Sequence, residues 1–284
     1  MFEKLKITLN MIKFEHSIFA LPFAFIGAFL AQKGIPPLEK CFWILIAMVS
    51  IRSAAMAFNR VVDMDIDAKN PRTKDRALPK GLLTTRWVHG FIASCIIVFF
   101  ISTYHLNQFV FHLSPYAVII ATVYSYTKRF TWLTHLFLGI AIGLAPLGGW
   151  LAIKPSFEIT PLLLMAGVAF WVAGFDIIYA CLDYEFDKKY KIHSIPVRFG
   201  IKNALYISAF SHFITILCFY FAGKCAQLKP IYFYGLIATG LILMGEHLLV
   251  KPSDLSKVNV AFFTFNGIFS IVMFLLVCLS LPWI

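Results

Sequence analysis

Apolar residues gather in nine long runs separated by short polar breaks, at about 13–32, 40–62, 87–104, 109–126, 132–152, 160–180, 202–223, 230–250 and 259–281. Each run is near the ~20 residues that a helix needs to cross a bilayer. The pattern therefore predicts an all-α integral membrane protein with nine transmembrane helices. The runs leave so little chain over that residues 1–284 read as one domain. The opening stretch M-F-E-K-L-K-I-T-L-N-M-I-K mixes apolar and basic positions and suits a segment lying on the membrane surface. No cleavable signal peptide is expected, because the first run carries His16 and Pro22 and lacks a small-residue cleavage site.

The polar positions that interrupt this pattern fall into two acidic stripes. At the end of the second run, Asn59, Asp63 and Asp67 are spaced by four, so a helix puts them on one face. At the end of the sixth, Asp176, Asp183 and Asp187 have offsets of seven and eleven and return to nearly the same helical direction. Hard oxygen donors of this kind favour Mg²⁺, which binds through a few carboxylates together with substrate phosphates. Arg72 and Arg76 lie just beyond the first stripe and are either diphosphate contacts or positive-inside anchors. Asp65 and Glu185 fall on the far side of their helices and are expected to face water or basic neighbours. Asp63, Asp65 and Asp67 also mimic the start of a calcium loop, but Ala68 stands where that loop needs Gly and Lys74 where it needs Glu. Acids at helix C-termini oppose the macrodipole, so capping alone is a poor explanation for two such stripes. Ionisable groups in a membrane protein are functional candidates by default.

Composition sharpens the class. Apolar residues make up 60% of the chain and aromatic residues 17%, and the mean hydropathy is +0.80, which excludes an ordinary soluble domain. The net charge of +11 would admit a nucleic-acid partner, but its distribution argues against one. With the N-terminus inside, five of the 25 basic residues (Lys33, Lys40, Lys154, Lys224 and Lys229) lie outside and Arg52 lies within a span. The other 19 fall on the cytoplasmic side, and that asymmetry sets the orientation, N-terminus in and C-terminus out. Six scattered cysteines (41, 95, 181, 218, 225 and 278) form neither a metal set nor a disulfide framework. Gly139, Gly143, Gly148 and Gly149 in the fifth run let neighbouring helices approach closely. Helices 2 and 6, each ending in an acidic stripe before a basic loop, suggest a coarse internal repeat with no residue-level counterpart. Helices 7 to 9 carry few polar groups and read as structural. Tyr124 and Lys128, four apart, are from spacing alone an interfacial aromatic and a snorkelling lysine. His16 is similarly ambiguous.

The pattern N-x-x-x-D-x-x-x-D followed by R-T-x-x-R, with D-x-x-x-x-x-x-D-x-x-x-D in the second half, resembles the UbiA superfamily of membrane prenyltransferases. The likeness covers nearly the whole chain and includes Y-x-x-x-K at Tyr124 and Lys128. K-F-E-H-S-I-F-A-L-P-F-A-F resembles the N-terminal signature of the branch that contains the 4-hydroxybenzoate polyprenyltransferases and their naphthoate-using relatives. One departure is Arg60, where many members have Asp. The resemblance implies a bundle of nine transmembrane helices around a central cavity that opens to the cytosol and to lipid. It implies that Asn59, Asp63, Asp67, Asp183 and Asp187 hold two Mg²⁺ ions, with the four aspartates essential to turnover. Arg72, Arg76, Lys128, Tyr124 and Arg198 would bind the diphosphate, and His16 and Asp176 would meet the acceptor. Arg52, the basic residue within a span, either pairs the acceptor's carboxylate, which is costly to bury alone, or pairs with an acid such as Glu15 or with helix-end carbonyls.

The expected function is thus Mg²⁺-dependent transfer of a polyprenyl group from polyprenyl diphosphate to a ring carbon of an aromatic hydroxy-acid, 4-hydroxybenzoate first, in quinone biosynthesis. The expected partners are those two substrates and the lipid bilayer. The expected location is a bacterial inner membrane, with the active site facing the cytoplasm. The nearest alternative is the same reaction on a dihydroxynaphthoate. A transporter using the acids as a cation site is a different class, but carboxylates at helix ends, away from mid-membrane broken helices, speak against it. The D-G-x-x-A-R element of the CDP-alcohol phosphotransferases is absent.

Overall fold

The computed structural model describes residues 2–14 and 17–281. Every regular element among them is helical: α1 (Phe2–Met11), α2 (Ser17–Gln32), α3 (Leu38–Val62), α4 (Met64–Lys69), α5 (Thr85–Leu106), α6 (Gln108–Thr127), α7 (Thr134–Ile153), α8 (Ile159–Ala180), α9 (Tyr184–Lys189), α10 (Ile195–Cys225), α11 (Pro230–Leu249), α12 (Val258–Val260) and α13 (Asn266–Ser280). Among the described residues, eight segments are long and apolar enough to cross a membrane, from Leu38–Val62 to Val258–Ser280. The first of the nine predicted runs forms α2, only 16 residues long, about 24 Å at 1.5 Å per residue.

Local chemistry sets where the helices start and bend. The Thr84 side chain accepts from Trp87 N at 3.3 Å to start α5, and Ser194 does the same for Val197 N at 3.4 Å at α10. Asn107 makes the turn between α5 and α6. Its Oδ1 accepts from Val110 N at 2.9 Å, while its Nδ2 donates to Leu151 O at 2.9 Å and ties the turn to α7. Gly200, at φ +80°, breaks α10 after its first turn, a conformation that suits glycine.

Adjacent long helices run antiparallel, most of them through short connections and two (α3 to α5, α8 to α10) through longer segments that carry α4 and α9. The ends of α3, α6, α8 and α11 therefore share one side of the bundle with the starts of α5, α7, α10 and α12. On that side α1 is docked by Trp87 Nε1, which donates to Thr8 Oγ1 at 3.0 Å, and by Lys4 above the Trp87 ring. The packing of α7 between α2 and α8 depends on small residues. A Cβ on Gly149 would lie 1.9 Å from Ala24 O, and one on Gly139 would lie 2.1 Å from Ala169 O. Gly143 makes a like approach to Met165 O, whereas Gly148 meets nothing within 4 Å and opens on the central cavity. Phe23, Trp171, Phe219 and Phe269, all fully buried, form the aromatic heart of the core.

Candidate active site

A cavity of about 640 Å³ runs up the middle of the bundle. Its lower walls are apolar, with Ile44, Met48 and Ile51 from α3, Val110 and Leu113 from α6, and Leu147 and Leu151 from α7. Its polar end is built where α3, α6 and α8 finish. That end carries both acidic stripes.

The first stripe forms as its spacing predicts. Asp63 N donates to Asn59 O at 2.9 Å and Asp67 N to Asp63 O at 2.8 Å, so the helical register carries on across the break between α3 and α4. Asn59, Asp63 and Asp67 all line the cavity, and Asp65 is exposed. The second stripe is bent by a 3₁₀ turn at Cys181–Asp183. Asp183 and Asp187 reach the polar end of the cavity, while Asp176 lines it two turns deeper.

Asp63 and Asp183 have nearly the same backbone conformation, φ −94°, ψ 2° and φ −100°, ψ 5°, and each precedes a six-residue helix. Superposed on that feature, D-M-D-I-D-A-K matches D-Y-E-F-D-K-K. The residue-level repeat not seen in the sequence therefore exists: Asp63, Asp65, Asp67 and Lys69 correspond to Asp183, Glu185, Asp187 and Lys189.

Cations close three of these acids. Lys128 Nζ donates to Asp63 Oδ2 at 2.7 Å and Arg129 Nη1 to Asp63 Oδ1 at 3.3 Å, and Asn59 Nδ2 also reaches Oδ2 at 2.9 Å. Arg76 Nη1 donates to both oxygens of Asp67, at 2.8 and 2.7 Å. Arg72 forks onto Asp183, its Nε at 2.9 Å from Oδ1 and its Nη2 on Oδ2, and Asn70 Nδ2 donates to the same Oδ1 at 2.9 Å. The loop after the first stripe thus crosses over and binds the second. Burial disfavours the Arg72 cation, but its hydrogen bond to Asp183 and the charges of Asp183, Tyr179 and Asp67 outweigh it and hold the pKa above its ordinary value.

Among the described residues, no three His, Cys, Asp or Glu side chains converge closely enough to hold a metal ion in this arrangement. The donor chemistry nevertheless fits one. The acids supply hard oxygens, and each cation facing them suits a phosphate oxygen. A divalent ion bound with a diphosphate replaces acid–cation pairs by acid–metal and cation–phosphate pairs, and strands no buried charge.

Of the other expected site residues, Tyr124, Arg72, Arg76, Lys128 and Arg52 line the cavity. Arg52 Nη2 donates to Lys13 O at 3.3 Å. Arg198 is exposed on the turn of α10 before the Gly200 break and is not among the lining residues, so it is not brought to the site. His16 lies outside the described residues. Besides Asn70 and Tyr179, three residues at this end were not expected from the sequence. Arg129 follows Lys128 and shares its acid. Arg60 lines the cavity and donates to Asn59 Oδ1 at 3.3 Å. His135 is buried at the start of α7 with Nδ1 2.7 Å from Asp176 Oδ2. Ile195 N–H can only donate, and it meets His135 Nε2 at 3.3 Å. The imidazole proton therefore sits on Nδ1 and points at Asp176.

Comparison with known proteins gives one answer. Residues 20–277 match the UbiA prenyltransferase family model. Similar relatives include 4-hydroxybenzoate octaprenyltransferases of Francisella tularensis subsp. novicida, 28% identical over 82% of this chain and 82% of the relative. That of Tolumonas auensis is 29% identical over 78% and 77%. Among solved structures, an apo UbiA homolog from Aeropyrum pernix K1 superposes with a TM-score of 0.84 and 33% identity, covering 93% of this chain and 98% of that one. A UbiA homolog from Archaeoglobus fulgidus bound to GPP and Mg²⁺ shares the fold at 21% identity and a TM-score of 0.72, over 95% and 99%. With the family model spanning nearly the whole chain and two acid turns meeting at one end of an apolar cavity, the chain belongs to the UbiA prenyltransferase family.

Proposed function

We propose that this protein transfers a polyprenyl group from polyprenyl diphosphate to a ring carbon of 4-hydroxybenzoate, using Mg²⁺, at an active site facing the cytoplasm of a bacterial inner membrane. The observation that carries the reading is the pairing of two Asp-led turns with Lys128, Arg129, Arg76 and Arg72 at the mouth of an otherwise apolar cavity. Relatives named for that reaction support the choice of acceptor over a dihydroxynaphthoate. In this reading residues 1–284 are one domain, α2 counts as the ninth span, and the N-terminus is inside, as the basic residues require.

Each group then has a task. Asn59, Asp63, Asp67, Asp183 and Asp187 would hold Mg²⁺, which when bound neutralises charge on the diphosphate as it leaves. Arg72, Arg76, Lys128 and Tyr124 would grip phosphate oxygens, and with the ion pairs opened their donors aim at the charge that grows there. The apolar walls take the polyprenyl chain and keep water from the reactive carbon. Arg52, the basic residue expected within a span, would pair the acceptor's carboxylate, which is costly to bury alone. Asp176, held by His135, faces the acceptor from α8. The test is incubation of membranes containing the protein with polyprenyl diphosphate and either 4-hydroxybenzoate or a dihydroxynaphthoate, with products identified by mass. Prenylated 4-hydroxybenzoate supports the reading. Product from the naphthoate alone, or from neither acid, overturns it.

A further inference from the structure

The last span changes register where it meets the cavity. Between α12 and α13 the chain makes a π-helical turn, Ala261–Phe265. Such a turn leaves carbonyls without their usual helical partners and is frequent at functional sites. The Asn266 side chain answers them, with Nδ2 3.3 Å from Ala261 O and 3.1 Å from Phe262 O. The same nitrogen is 3.1 Å from Glu246 Oε1, and Trp171 Nε1 donates to Asn266 Oδ1 at 2.6 Å. Glu246, Asn266 and Trp171 are all fully buried. A polar network of this kind in an apolar bundle is costly unless satisfied, and none of its polar groups contacts the acidic stripes.

What the network fixes is the Phe262 ring. Its centroid lies 4.4 Å from that of Tyr179 and 5.1 Å from that of Phe175, and all three rings line the cavity. Tyr179 in turn adjoins the diphosphate end: its hydroxyl accepts from Arg72 Nη1 at 2.9 Å, and the guanidinium carbon stands 5.0 Å from the ring centroid. The aromatic wall therefore begins beside a guanidinium that binds Asp183 and continues into the apolar cavity.

We infer that the π-turn serves to set Phe262 beside Tyr179 as the aromatic face against which the allylic cation forms, with Asn266 as its positioning residue, held by Glu246 and Trp171. The inference rests on the prenyl-transfer reading. In the step concerned the allylic C–O bond breaks and its electron pair leaves with the diphosphate. The positive charge left on the allyl carbons faces the electron-rich rings. A ring carbon of the acceptor then supplies the pair for the new C–C bond, and its proton is lost to a basic oxygen at the polar end.

The test replaces Phe262 with mono-, di- and trifluorophenylalanine in the full-length protein, assayed with geranyl diphosphate, 4-hydroxybenzoate and Mg²⁺. Fluorine drains the ring face and leaves its shape nearly unchanged. The expected result is a stepwise fall in kcat, on the order of tenfold across the series, with KM for the diphosphate constant. Asn266→Leu should lower kcat similarly and raise the share of prenyl alcohol formed by water capture. Glu246→Gln, which keeps an acceptor for Asn266, should restore what Glu246→Leu loses. If Asn266→Leu does not fold, the fluorinated series still decides. An active wild type with a kcat indifferent to fluorine overturns the assignment and leaves the transfer reading standing. A wild type that forms no product overturns both.

Discussion

Asp63 and Asp65 are two residues apart and live in opposite surroundings. Asp63 is 3% exposed and bound by Lys128 and Arg129, whereas Asp65 faces solvent. Asp63→Asn, Asp67→Asn, Asp183→Asn and Asp187→Asn should each cut kcat by roughly 100-fold or more, since on the proposed reading each would remove an anionic metal ligand with little change in size. Asp65→Asn should stay within about threefold of wild type. Turnover assays on purified variants check this, and equal damage at 63 and 65 would refute the helical-stripe argument. Arg52→Leu should raise KM for 4-hydroxybenzoate by at least ~10-fold while KM for the prenyl diphosphate moves little. Equal effects on both substrates would make Arg52 structural. At this scale the acids that line the cavity mouth and the nearer cations were legible because carboxylates in an apolar chain have few other uses. His135 was not, because a single histidine at a helix start carries no periodic signal and its partner Asp176 is 41 residues away. Arg198 was carried by resemblance alone, and it is exposed and does not line the cavity.

Among the elements, the apolar runs located the spans to within a few residues, since a bilayer fixes helix length more tightly than a soluble core does. The run at 202–223 matches the long part of α10 after the Gly200 break, and the short stretch before it starts at Ile195, where Ser194 caps it and Pro196 suits a first turn. The 3₁₀ and π turns went unseen. The π turn is held by contacts of Asn266, including its bond to Glu246, that have no counterpart in local pattern. So too did the activity of the last span, expected to be structural yet supplying Phe262 to the cavity. The glycines of α7 were read correctly as close-approach residues except Gly148, which is a wall of the cavity. Gly149→Val places new atoms against Ala24 O, where even a Cβ would lie at 1.9 Å. It should destabilise the bundle by about 3 kcal/mol or more, seen as a lower unfolding temperature in detergent. Gly148→Ala should fold normally and act, if at all, on substrate binding.

For the molecule as a whole, the proposed topology can be read directly in cells. In the proposed orientation the loop at 63–84 and that at 181–194 face the cytoplasm. In intact cells a cysteine at position 75 should be protected from an impermeant thiol reagent and one at 156 labelled, in a background without the native cysteines. The reverse pattern would turn the protein over. The ion pairs at the cavity mouth have a thermodynamic corollary. Metal alone must displace Lys128, Arg76 or Arg72 from an acid, and diphosphate alone must pull the same cations away. Each ligand arriving first does work that the second is spared. Their binding free energies are therefore coupled, and by linkage the coupling is the same in either order. Mg²⁺ alone and a non-hydrolysable prenyl diphosphate analogue alone should each shift the unfolding temperature little. Added together they should shift it by well more than the sum, and chelating the metal should release the analogue.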